Sequence, residues 1–196
     1  MIRPGQRADV RAPQRDRWHL QLTEHVAVSF QRFAWPPAGH VRAAPASLGA
    51  LPVATRAPDA ALLPVAAGEA FWIGLDPIGA RPAGRLALRA QLASGRAVDV
   101  LSGRAWHEDD ATLTAIHGRP RLAGVARPDG AFDVLGRAPG NNEASCTALS
   151  FRVVDAAGST RVDVEIVDPL AFQQRSGDDP PAPLDATAGY RGHRLP

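Results

Sequence analysis

Six histidines, His19, His25, His40, His107, His117 and His193, have the widest chemical repertoire in this chain, because imidazole both ligates metals and titrates near neutrality. None stands in a His-x-His or His-Glu-x-x-His spacing, the arrangements that put two imidazoles on one face of a strand or helix. Glu24 with His25, or His107 with Asp109, could ligate a metal only if a second strand brought further ligands. The sequence therefore predicts solvated histidines, with no resident metal and no cofactor.

The best-mixed patch is Arg104-Ala105-Trp106-His107-Glu108-Asp109-Asp110. A tryptophan face beside Arg104, His107, Asp109 and Asp110 is how a sugar-binding surface, or a hydrolase cleft, is furnished: the ring stacks while the charged groups hydrogen-bond around it. The competing structural explanation is that acids after a loop favour a helix N-terminus, here a short helix through Thr112 to Ile116. Cys146 has neither a basic neighbour nor any other local means of forming a thiolate, so it reads as a small core residue. Ser29, Ser145 and Ser150 lack the Gly-x-Ser-x-Gly elbow. The glycine-rich stretches lack both the phosphate-loop lysine and the dinucleotide fingerprint. Asn141-Asn142-Glu143 offers oxygens for Ca²⁺, in a spacing that plain turns share.

The composition narrows the class. All 22 basic residues are arginine, and 20 carboxylates leave a formal charge of only +2. The high pI reflects the absence of lysine titrating near pH 10 rather than a strongly positive molecule. The arginines are scattered among acids, so nucleic-acid binding is not expected. One cysteine excludes an intramolecular disulfide framework and a multi-thiolate metal site. No secretory leader is evident at Met1–Arg7, and no apolar run approaches the ~20 residues that span a bilayer. The expectation is a cytoplasmic protein with no membrane contact.

The elements that must position these residues read as strands. Gly and Pro number 18 each in 196 residues, well above the roughly 12% combined that is ordinary, and such punctuation favours short strands over long helices. The densest apolar stretch, Glu69-Ala70-Phe71-Trp72-Ile73-Gly74-Leu75-Asp76-Pro77, predicts a buried strand. Before it, Trp18–Thr23 and Val26–Phe33 alternate with a period of two, as two strands joined by a tight hairpin or one strand bent at a bulge. After it, Leu86, Leu88, Ala90 and Leu92 alternate up to a Ser94-Gly95 turn, and Val98 and Val100 return. Shorter strands are expected around Ala131–Leu135. A second strong pair sets Leu149, Phe151 and Val153 against Val162, Val164 and Ile166. Trp18, Phe30, Phe71, Trp72, Leu88, Phe132, Phe151, Val164 and Ile166 are the predicted core.

Residues 34–65 carry prolines every six to nine positions, so the sequence predicts an extended meander packed on the sheets, with at most a helical turn over Ser47–Leu51. The expected organisation is a flexible basic arm at 1–17, an antiparallel β-sandwich or jelly-roll-like domain at 18–170 containing that meander, and an extended C-terminal tail at 171–196. Three extended segments exceed what a compact enzyme needs. The expected function is therefore a non-catalytic module that associates with a protein partner or with itself, with Trp35, Tyr190, Arg191 and His193 as contact residues. The alternative is a small-ligand or carbohydrate-binding sandwich, a hydrolytic one included, acting through the 104–110 patch.

Overall fold

The computed structural model describes residues 17–78, 84–109, 111–115, 121–140, 143–155 and 158–184. In chain order the strands are β1 (Leu20–Thr23), β2 (Val26–Ala34), β3 (His40–Val41), β4 (Ala54–Ala57), β5 (Ala60–Pro64), β6 (Glu69–Pro77), β7 (Arg85–Leu92), β8 (Ala97–Asp99), β9 (Thr114–Ala115), β10 (Arg121–Leu122), β11 (Val125–Ala126), β12 (Phe132–Asp133), β13 (Leu135–Arg137), β14 (Cys146–Asp155) and β15 (Gly158–Val167). One helix, α1 (Pro169–Ser176), follows. The protein is all-β, and its pairing is antiparallel with one exception described below.

The Phe71-Trp72-Ile73 strand is central to the first sheet, ordered β1-β2-β6-β10 with β13 also on β6. β6 pairs with β2 along its whole length, from Val26 opposite Pro77 to Ala34 opposite Glu69. β1 and β2 form the hairpin, with a bulge between Gln21 and Thr23. The second sheet, β4-β5-β15-β14-β7-β8 with β9 beside β7, has seven strands and faces the first. Period-two alternation sends Val28, Phe30, Phe71 and Ile73 from one sheet, and Leu86, Leu88, Phe151 and Val164 from the other, into one shared core. The Phe30 ring meets Phe71 and Phe151 edge-on, at 5.6 and 6.2 Å between centroids. Each such side chain contributes about 1.5–3 kcal/mol of burial.

A three-stranded sheet, β11-β12-β3, lies over the other face of the first sheet. Phe33, Ala70 and Val134 are buried between them, and Trp35, Trp72 and Phe132 are partly so. Trp72 is thus half-buried rather than central: its indole Nε1 donates to the Pro45 carbonyl at 3.0 Å, and the Arg121 guanidinium stands over its ring. Trp18, predicted as core, lies before β1 and is 37% exposed beneath the Arg17 guanidinium. The close approach of β13 to β6 requires glycine at position 136, where φ is +147° and a Cβ would run into the Glu69 carbonyl and the Ala70 backbone.

Two expectations need correction. The 34–65 segment is not without regular structure: β4 and β5 belong to the seven-stranded sheet, and β5 runs parallel to β15 from Ala60–Asp163 to Pro64–Val167. The prolines permit this because Pro58 precedes the strand and Pro64 is its last residue, where a missing donor costs least. The helical turn over Ser47–Leu51 is also absent. Arg32 N donates to Gly49 O, and Leu48 N and Leu51 N donate back to Arg32 and Phe30, so this stretch extends the edge of β2 beyond β1.

The tail does not begin extended. Asp168 caps α1 by accepting from Ala171 N at 2.9 Å, Pro169 opens the helix, and Gly177 closes it at φ +78°. Phe172 is fully buried against Ala54, Leu62 and Val167 on the outer face of the large sheet. Residues 177–184 then run back over the body. The Asp179 carbonyl accepts from Arg17, the Ala182 carbonyl accepts from Arg32 at 2.8 Å, and Leu184 N donates to Glu69 at 3.3 Å. Among the described residues no helix is long and apolar enough to cross a membrane.

Candidate functional site

Strand alternation that buries Leu86, Leu88 and Ala90 turns Arg85, Arg89 and Gln91 outward, and the same rule turns Ser150 and Arg152 outward on β14 and Arg161, Asp163 and Glu165 on β15. Register then aligns them in rows across three adjacent strands. Arg89, Ser150 and Asp163 form one row, and Ala87, Arg152 and Arg161 the next. Two guanidinium side chains therefore stand directly opposite each other, Arg152 against Arg161, a cross-strand arrangement that is destabilising unless negative charge intervenes. Over the first row and its neighbour Gln91-Ala148-Glu165 lies a groove of about 300 Å³, which Arg161 borders and whose polar lining is Arg89, Gln91, Ser150, Asp163 and Glu165.

The acids of this face are partly committed. Arg161 Nε donates to Asp163 at 3.1 Å, and Glu165 is clamped by both Arg175 nitrogens at 2.6 Å, which holds its carboxyl below the ordinary range. Arg85 and Arg89 pair with no carboxylate among the described residues. Arg85 donates to the Leu113 carbonyl at 3.4 Å and Arg89 to the Gln91 side chain at 2.5 Å. The Nε atoms of Arg89 and Arg152 are sealed from solvent with no acceptor among the described residues. A guanidinium laid on a sheet with an orphaned donor is held at a cost of the order of 1–3 kcal/mol.

The residues singled out in sequence sit at the border of this face. No helix follows the acidic patch as far as Ala115; Thr114 and Ala115 form β9 instead, beside β7. Ala105 bridges to Val98 and Trp106 N donates to Ala97 O, so the chain folds back along β8. Arg104, His107 and Asp109 are exposed and Trp106 is half-buried; Asp110 lies outside the described residues. Glu108 reaches Arg152 at 3.9 Å, past the small Ala87. What organises the loop is Asp99, on β8 between Val98 and Val100. It is 3% exposed and accepts from Leu101 N and Ser102 N through Oδ1 and from Thr112 N through Oδ2, at 2.8, 3.1 and 2.6 Å. Trp35 packs half-buried against the second core. Tyr190, Arg191 and His193 lie outside the described residues.

Burial pushes the Cys146 thiol up to about 12, so at neutral pH it is a protonated wall and not a nucleophile. Among the described residues no three His, Cys, Asp or Glu side chains gather as a metal site would need. Compared with models of known protein families, with curated proteins and with solved structures, the chain matches none.

Proposed function

We propose that this chain is a non-catalytic binding module that docks an acidic segment of another protein on the outer face of its seven-stranded sheet. The observation that carries the reading is the register opposition of Arg152 and Arg161, next to Arg85 and Arg89, which have no carboxylate partner among the described residues. Asp163 accepts from Arg161 and Glu108 stands 3.9 Å from Arg152, so each guanidinium has one carboxylate at its side; a partner carboxylate placed between the two would add a charge-assisted hydrogen bond to each. A flat sheet face with a shallow groove suits an extended peptide rather than a compact small molecule. The 34–65 and 171–184 segments, by contrast, lie against the chain's own body, so the partner surface shifts from those segments to the sheet.

The test is fluorescence anisotropy with a labelled octaglutamate peptide, with octalysine and a single-stranded DNA octamer as comparisons. Octaglutamate binding that weakens with added salt, and weakens at least tenfold in the Arg161→Glu and Arg89→Glu variants, is the expected result. Arg161→Glu places a carboxylate opposite Arg152, a favourable pair, so the fold should persist. Tighter binding of the DNA, or equal octaglutamate binding by both variants, would overturn the proposal.

A further inference from the structure

A second cleft, of about 350 Å³, opens at the end of the sandwich where β13, β14 and the start of α1 meet. Two of its lining residues carry opposite charges that do not pair with each other. Arg137 donates through Nη1 to the Val65 carbonyl at 3.2 Å and has no carboxylate partner among the described residues. Asp168 uses Oδ1 to cap α1 and has no cation partner among them. Both are half-buried. Opposite charges that share one partly desolvated space without touching leave two complementary demands in it, and a single small molecule meets both only if it carries both signs.

The remaining walls refine the class. Ala67, Ala138 and Ala171 are small and apolar, and Ser145 Oγ accepts from Ala138 N, leaving its hydroxyl proton available to donate. The volume lies at the small end of the range for ligand pockets, roughly 300–1,000 Å³. From this we infer that the cleft binds a free α-amino acid with an apolar side chain, its carboxylate on Arg137, its ammonium on Asp168 and its side chain against the alanine wall. This site is separate from the arginine face and does not depend on the docking proposal.

The test is isothermal titration of the full chain with L-valine, with N-acetyl-L-valine, which lacks the ammonium, and with L-valinamide, which lacks the carboxylate. Valine should bind and each derivative should bind at least tenfold more weakly. Arg137→Gln should lose valine binding. Asp168→Asn should lose at least tenfold at an unchanged unfolding midpoint, because asparagine caps a helix as well as aspartate does. Absence of valine binding by the wild-type chain, equal binding of valine and either derivative, or wild-type affinity in Asp168→Asn would each overturn the assignment. The Asn variant keeps the test decisive even if Arg137→Gln does not fold.

Discussion

At Asp99 a single carboxylate carries three backbone N–H bonds from residues as far on as Thr112 while almost wholly withdrawn from water. It fixes the turn at Leu101–Ser102 and draws the later part of the loop back to β8, which sets where Glu108 can reach Arg152. Replacing it by alanine strands three donors in a part-buried site. Asp99→Ala should therefore lower unfolding free energy by about 3 kcal/mol or more, with Asp99→Asn between it and wild type, read as a shift of the urea midpoint at constant slope. A loss under about 1 kcal/mol would mean that water replaces the carboxylate at no real cost.

Among the elements, α1 is held by one buried ring, Phe172, and one bidentate ion pair, Arg175 with Glu165. The Arg175 hydrogen bonds depress the Glu165 carboxyl, so its contribution is present at neutral pH and is lost as pH falls through that depressed value. Both side chains are about half exposed, so solvent screens the pair and its contribution is small. Arg175→Gln should lower stability at pH 7, and its stability should converge with that of the wild type as pH falls below about 4.5, which flattens the acid limb. An unaltered acid limb in urea unfolding would show the pair to be inert. The long strands were legible because period-two alternation survives in them: β2, β7, β14 and β15 fall where their leucines, valines and phenylalanines predict. The helix is signposted by Asp168-Pro169 and Gly177, whereas the proline-rich composition after it favours an extended tail. The arginine rows were half legible. Alternation puts Arg85, Arg89, Arg152 and Arg161 opposite the core, yet their convergence depends on strand order and register, which pairing over long separations decides. Trp106 and the acids beside it attracted attention by type and adjacency, whereas the structure gives the organising part to Asp99, whose burial no local pattern announces.

On the scale of the molecule, residues 177–184 tie α1 back to the first sheet. They close over Arg32 and Glu69, whose side chains are 12% and 6% exposed and 3.6 Å apart, and supply the Ala182 carbonyl to one and the Leu184 amide to the other. A chain ending at Asp178 should be less stable than one ending at Leu184 by about 1–3 kcal/mol, since a buried ion pair loses two of its hydrogen-bond partners. Equal urea midpoints for the two truncations would show that solvent serves the pair equally well.

The parallel union of β5 with β15 joins stretches on the order of a hundred residues apart in sequence. During synthesis on a ribosome, Leu62 and Leu63 emerge early, yet the strand and helix that cover them are among the last described pieces to be made. The first sheet has β1, β2 and β6 early, while the large sheet waits with an open apolar edge until β15 arrives. The arrival of β15, more than any local hairpin, thus becomes the event that commits this molecule to its fold, and growing chains stalled before Val167 would present that edge to one another.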